Sequence, residues 1–126
     1  MPSKTSFPHL QGHSFMNLTT YRKTGVAVVT PVWFAQEGDK IYVFTSGESG
    51  KVKRIRNNGK VQVGPCDRSG KPLGEVQSGI ARLLPQEAHK HADQIITQKY
   101  GWQKRLFGLI GMFRKTEPYY IEIREG

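Results

Sequence analysis

The sequence has very little cysteine and no long apolar run. Cys66 is the single cysteine among 126 residues, so the chain cannot close an internal disulfide. No apolar stretch reaches the ~20 residues of a membrane-spanning helix, and residues 1–12 lack the apolar core of a secretory signal. We therefore expect a soluble protein of the reducing cytoplasm, with no membrane contact.

Acidic residues are also scarce. Ten Asp and Glu stand against 19 Lys and Arg, which gives a net charge of +9. Such an excess predicts an anionic partner, and charge alone does not choose among three classes: nucleic acid, an acidic membrane surface and phosphorylated small molecules. The ten acids are scattered along the chain, so the sequence offers no carboxylate pair of the kind that a hydrolase uses.

Metal-binding and nucleophile motifs are missing as well. His89 and His91 are two residues apart, a spacing that places them on different faces of a helix, and Cys66 has no partner cysteine. The sequence therefore predicts no metal site and nominates no catalytic residue. We interpret Cys66 as a small buried thiol, because a nucleophile would need a base that the sequence does not supply.

The segments that are present predict one mainly β domain with added helices. A length of 126 residues suits a single domain. Residues 1–12 show no periodicity and predict a flexible N-terminal arm, which leaves residues 13–126 as the domain. Apolar alternation and turn residues predict strands at 26–34, 40–45, 60–64, 75–84 and 118–124, and helices at 13–20, 51–56 and 85–100. In so short a chain this pattern favours a closed or split antiparallel β-barrel.

Two segments carry further expectations. Pro31 lies inside a predicted strand, where it indicates a sheet edge, a bulge or a place where the strand faces a ligand. Residues 102–113 predict a broken apolar helix that is more than a small barrel needs to cover itself. We therefore expect a homodimer, with this segment or a sheet face at the interface.

The stretch from Thr45 to Arg56 carries the clearest chemistry. A strand ends in hydroxyl and glycine residues, and a short cationic helix follows whose start Ser46 or Ser49 can cap. Backbone N–H groups at a helix start and nearby cations hold a phosphate. Lys51 and Arg54 are the cations expected in this anion site, whereas Lys53 and Arg56 are expected to be solvated.

The same stretch resembles the phosphate-binding strand, turn and helix of the pyridoxamine 5′-phosphate oxidase-like split-barrel proteins. Other segments resemble the subgroup of PPOX-class F420-dependent enzymes, and together they cover roughly residues 14–124. These segments are Gly25, Thr30-Pro31-Val32-Trp33-Phe34, Lys51-Val52-Lys53-Arg54-Ile55, Val61-Gln62-Val63, Gly79-Ile80-Ala81-Arg82 and Lys99-Tyr100-Gly101-Trp102.

The resemblance implies a six-stranded antiparallel split β-barrel, a homodimer, and FMN or coenzyme F420 bound at the subunit interface. Residues matched by position would bind the cofactor in three groups. The phosphate group would meet Lys51, Arg54, Thr45, Ser46 and Ser49; the ring system would lie along Thr30, Pro31, Val32 and Trp33; and Gly64, Pro65 and Cys66 are weaker candidates.

One position departs from the family pattern. In true pyridoxamine-phosphate oxidases an Arg precedes the Lys of this motif, whereas Gly50 precedes Lys51 here, and 126 residues leave no room for their C-terminal extension. This departure argues against oxidation of pyridoxamine phosphate. The resemblance to the F420-dependent subgroup implies instead hydride transfer from a reduced flavin or deazaflavin to a small electron-poor acceptor.

Two alternatives stay open from the sequence. The first is a non-catalytic split barrel that binds a flavin or haem, which the absence of a catalytic acid supports. The second is a basic barrel that binds nucleic acid, but the basic run lacks the interleaved aromatic residues that such surfaces use.

Overall fold

The computed structural model describes residues 7–46, 50–100 and 118–126. Six strands and two helices lie in these ranges. They are β1 (Phe15–Tyr21), β2 (Ala27–Glu37), β3 (Lys40–Ser46), α1 (Gly50–Asn57), β4 (Lys60–Cys66), β5 (Gln77–Leu83), α2 (His89–Tyr100) and β6 (Pro118–Glu125). Short 3-10 turns at Pro8–Leu10 and Gln86–Ala88 precede β1 and α2.

The strands form a closed antiparallel barrel in the order β1-β2-β3-β6-β5-β4, with β4 returning to β1. Side chains alternate between the interior and the outer face of the barrel, because successive residues of a strand face opposite sides of the sheet. In β1, Met16, Leu18 and Thr20 are buried while the residues between them are partly exposed. The prediction of a mainly β, six-stranded antiparallel barrel is confirmed.

One prediction at the N-terminal end needs correction. The predicted helix at residues 13–20 is wrong, since Phe15–Tyr21 is a strand paired with β2 and β4. In the described part of the predicted N-terminal arm, Phe7 and Leu10 are fully buried in the barrel core. The Gln36 side-chain amide also donates a hydrogen bond to the Phe7 carbonyl at 3.1 Å.

Apolar side chains form two clusters, one on each face of the sheet. The first fills the barrel and includes Phe34, Ile41 and Ile121, all fully buried. The second lies between the outer face of the sheet and α2, whose Ala92 and Ile96 are buried there. Full burial of one large apolar side chain contributes about 1.5–3 kcal/mol, so α2 is held to the barrel mainly by this second cluster.

Strand β2 changes partner halfway along its length. Residues 27–33 pair with β1, whereas Phe34 to Glu37 pair with β3 through a two-residue turn in which Gly38 has a φ of 60°. This is the predicted hairpin. Within the described ranges, the second side of residues 27–33 has no strand partner. Pro31 therefore occupies the sheet edge that its missing N–H predicts.

Two further expectations concern a helix at residues 102–113 and the membrane. The predicted broken helix at 102–113 lies outside the described residues. Among the helices that are described, none has the length and apolar character needed to span a membrane.

Candidate functional site

A cavity of about 330 Å³ lies where β1 begins, β3 ends and α1 begins. It contains five of the residues that the sequence and the resemblance nominate. Its lining consists of Phe15, Pro31, Val32, Trp33, Phe44, Thr45 and Lys51. The fold thus brings the Pro31 to Trp33 segment and the strand-to-helix stretch, which are far apart in sequence, around one space.

Aromatic rings form the walls of this cavity. The rings of Phe15 and Trp33 lie 6.5 Å apart at an interplanar angle of 56°. Phe44 packs on Tyr120 at 5.4 Å, and the Tyr120 hydroxyl donates a hydrogen bond to Asp93 of α2 at 2.8 Å. Apolar walls with a few polar groups are typical of cavities that bind a flat organic ligand.

Lys51 supplies the positive charge of the cavity. It is half-buried, and burial, followed by the nearby charge of Arg54, lowers the pKa of its amine. The Thr45 side chain, only 7% exposed, lines the same space at the end of β3. A partly desolvated amine beside another cation gains from an anion, because the anion restores the stability of the charged form.

Arg54 lies one helical turn after Gly50 and is not among the residues that line the cavity. Its Nε donates to the Thr20 hydroxyl at 2.5 Å. Its Nη1 lies 2.7 Å from the position that a Cβ on Gly50 would occupy. Burial and then the charge of Arg22 lower the pKa of its guanidinium. Three cations therefore lie near the start of α1.

The cations of the basic segment differ in burial. Lys53 and Arg56 are exposed, whereas Lys51 and Arg54 are partly buried. Val52 and Ile55 of α1 are buried and fix the helix against the barrel.

Of the other residues nominated in these segments, Thr30 is not part of the cavity lining. Thr30 lies in β2 opposite Leu18 and is half-buried. Ser46 is the last residue of β3, where its backbone pairs with Pro118. Ser49 lies outside the described residues.

The weaker candidates at the end of β4 are covered by the loop that follows them. Gly64, Pro65 and Cys66 are all buried. A Cβ on Gly64 would lie 3.0 Å from the Glu75 carbonyl oxygen, and one on Gly74 would lie 2.8 Å from Pro65. The loop thus closes this face, and the structure does not bring these three residues to the cavity.

Cys66 behaves as a buried thiol. Burial, with a smaller effect of the neighbouring Asp67 charge, raises its pKa above the usual range. Its thiolate is therefore disfavoured. Within the part of the chain that the structure describes, no group of three His, Cys, Asp or Glu side chains is placed to hold a metal ion.

Sequence reasoning missed two lining residues, Phe15 and Phe44. The signal for Phe44 was present, since it alternates with Val43 and precedes Thr45. Phe15 reaches the cavity because β1 pairs with β2 in the register that sets it opposite Trp33. Strand register cannot be obtained from composition or periodicity alone.

A larger cavity of about 420 Å³ lies at the opposite end of β1, around Tyr21, Lys60 and Ile80. None of the nominated residues lines it. The candidate site is therefore the smaller cavity, where the aromatic walls and the partly buried cation meet.

The sequence and the fold both match known proteins. A family model described as pyridoxamine 5′-phosphate oxidase matches residues 6–108. Among curated proteins, none matches the sequence.

Three solved structures illustrate the likeness of fold. An F420 reductase shares 16% identity and a TM-score of 0.65, covering 98% of this chain and 94% of that one. The haem storage protein HutZ of Vibrio cholerae shares 15% identity and a TM-score of 0.66, covering 94% and 85%. A FAD-binding protein of Mesorhizobium loti shares 18% identity and a TM-score of 0.60, covering 93% and 82%.

Identities this low show the fold alone, and the three proteins bind different groups. The family model, by contrast, spans most of the chain, and the barrel has the architecture that the resemblance predicts. The chain therefore belongs to the pyridoxamine 5′-phosphate oxidase-like family of split-barrel proteins.

Proposed function

We propose that the chain binds a phosphorylated flavin-type cofactor, FMN or coenzyme F420, and uses it to reduce a small electron-poor acceptor. The observation that carries the proposal is the cavity that joins the Pro31 to Trp33 segment to Lys51. The lining combines aromatic rings with one cation, which suits a cofactor with a flat ring system and a phosphate.

The residues present fit such a group chemically. Lys51 and the Thr45 side chain meet the phosphate end, and Arg54 adds a second positive charge from the same helix. Trp33, Phe15 and Phe44 offer apolar surface to the ring system. When bound and reduced, the cofactor supplies the hydride, so the protein contributes position, electrostatics and exclusion of water.

No side chain is assigned as the proton donor. Lys51 is the single titratable group among the described residues that line the cavity, and it serves the anion. Water then provides the proton that follows the hydride. The same proposal includes a second copy of the chain, since the resemblance implies a cofactor at a subunit interface. It also includes a cytoplasmic setting.

Titration of the purified protein with FMN and with F420 tests the site. We expect micromolar binding of one of them, and a dissociation constant raised about 10- to 100-fold by Lys51→Ala, since a charge-assisted hydrogen bond contributes about 1.5–3 kcal/mol. Lys53→Ala, which removes an exposed charge from the same helix, is the matched control. Binding of neither cofactor, or equal effects of both substitutions, would contradict the assignment.

A second candidate is a non-catalytic module that holds a flavin or haem. It is favoured by the lining of the cavity, in which the described residues include no carboxyl group that could serve as a catalytic acid. The two candidates differ in turnover: protein loaded with reduced cofactor should reduce nitroaromatic or quinone acceptors if it is a reductase. Cofactor binding without any acceptor reduction across such a panel would favour the module.

A further inference from the structure

The guanidinium group of Arg54 is held by a hydrogen bond on one side and lies beside the first residue of α1 on the other. On one side its Nε donates to the hydroxyl of Thr20, which lies on β1 and is only 1% exposed. These two residues are 34 positions apart in sequence. A hydrogen bond between a charged donor and a buried hydroxyl holds the donor in one orientation, because the alternatives leave a buried polar group unpaired.

On its other side the guanidinium lies against the first residue of α1. A Cβ at position 50 would lie 2.7 Å from Nη1 and 3.5 Å from the central carbon of the guanidinium. Atoms do not approach so closely, so any side chain larger than hydrogen at Gly50 would displace this end of Arg54. Gly50 therefore provides the space that the guanidinium occupies.

This placement puts a second charge beside the cation of the cavity. The charge of Arg54 is the second cause, after burial, of the lowered pKa of Lys51. Lys51 lines the cavity whereas Thr20, Gly50 and Arg54 do not. Their contacts with the guanidinium connect Thr20 and Gly50 to the cavity through the position of Arg54.

We propose that Thr20 is a positioning residue for the phosphate end of the cofactor site, and that Gly50 is the residue whose missing side chain admits Arg54 to that position. The proposal rests on the proposed function, because it assumes that a phosphate binds beside Lys51. It predicts that two residues outside the cavity lining determine how strongly the site discriminates a phosphorylated ligand from its phosphate-free counterpart.

The test compares FMN with riboflavin, which share the ring system and differ in the phosphate. Thr20→Val removes the hydroxyl and keeps the shape of a side chain that faces the barrel core with Met16 and Leu18. We expect it to raise the dissociation constant for FMN about tenfold and to leave that for riboflavin unchanged. Thr20→Ser retains the hydroxyl and should restore FMN affinity.

Gly50→Ala provides a second variant that leaves Thr20 intact. It should weaken FMN binding by a similar factor, since its Cβ displaces the guanidinium, yet it should keep or raise the melting temperature, because alanine favours a helix more than glycine does. A loss of affinity without a loss of stability separates positioning from a general effect on folding. If the chain takes F420, then F420 and its phosphate-free deazaflavin core form the ligand pair.

Two results would overturn the proposal. Equal losses of FMN and riboflavin binding in Thr20→Val would show a merely structural role, and unchanged FMN binding in both Thr20→Val and Gly50→Ala would show none. These outcomes differ from failure of the proposed function, in which the unsubstituted protein binds neither FMN nor F420 and both proposals fall together.

Discussion

Two groups of cations on this barrel differ in whether a carboxylate lies between them. On β5 and β6, Arg82 and Arg124 both donate to one oxygen of Glu122, at 3.0 and 3.1 Å, and Glu122 is only 4% exposed. At the start of α1, Lys51 and Arg54 lie close together, and none of the ion pairs found in the described residues involves either of them. Each group contains two cations, but only the first has a carboxylate partner among the described residues.

The pKa shifts describe the same contrast. Burial alone would raise the pKa of Glu122, but the hydrogen bond and charge of Arg82, aided by Arg124, bring it below its usual value. At Lys51, burial and Arg54 act together and lower the pKa of the amine. The first group is satisfied within the chain and supports folding. Among the described residues no carboxylate pairs with the second group, and this is why we place function there.

The largest expected effect comes from removing the charge of Glu122, the carboxylate of the first group. Glu122→Gln leaves two arginines beside a neutral amide and should lower the free energy of unfolding by about 1–3 kcal/mol, because the carboxylate is buried and accepts charge-assisted hydrogen bonds. Urea denaturation measures the change. Glu125→Gln, at an exposed position on the same strand, should stay within about 0.5 kcal/mol. Equal values for the two variants would show that Glu122 has no special role.

Binding of an anion beside Lys51 and Arg54 should have the next largest effect on stability. Inorganic phosphate at ten times its dissociation constant should add about 1.4 kcal/mol of stability, since it binds the folded state alone. A phosphate titration followed by melting temperature measures this gain. Lys51→Ala should abolish it, whereas Glu122→Gln should retain it. A gain that persists in Lys51→Ala would place the anion elsewhere.

Acid should abolish the contribution of Glu122. Because its pKa is lower in the folded chain than the usual 4.5, its contribution is complete above that value and is lost as the pH falls through the folded pKa. The stability difference between the unsubstituted protein and Glu122→Gln should therefore shrink below pH 4.5. Urea denaturation at a series of pH values measures it, and a constant difference would argue against the ion pairs.

Alkali should have the smallest effect, and it acts through Lys51. The folded chain disfavours the charged amine, so Lys51 destabilises the protein below its folded pKa, and this penalty disappears as the pH rises toward the usual 10.5. In phosphate-free buffer, the unsubstituted protein should gain stability relative to Lys51→Ala over that alkaline range. A relative loss would mean that Lys51 already has an anionic partner in the chain.

Most of the fold could be predicted from the sequence because alternation marks strands that have one buried face. β1 was predicted as a helix and not as a strand, for a physical reason. Phe15 is apolar although it faces the outer side, toward the cavity, so the run of Phe15, Met16 and Leu18 imitates a helical spacing. The burial of Phe7 and Leu10 was not predicted either, because a 3-10 turn after a left-handed residue leaves no period to detect.

The candidate site was predictable as far as its residues are contiguous in sequence. Lys51 and Thr45 flank one turn, and Pro31 to Trp33 form one segment, so a local motif suffices for each. Phe15 enters through strand register, and the burial of Gly64 depends on a loop that folds back from residues 74–76. Contacts of this kind are tertiary, and no local pattern encodes them.

The edge of β2 has a consequence for solubility. A strand with one unpaired side presents a row of amide and carbonyl groups with which another chain can pair. The exposed apolar side chain of Val29 increases the tendency of this stretch to associate. Pro31 interrupts that row, because its ring nitrogen has no hydrogen to offer. The same residue that shapes the wall of the cavity therefore also guards the barrel against strand-by-strand aggregation.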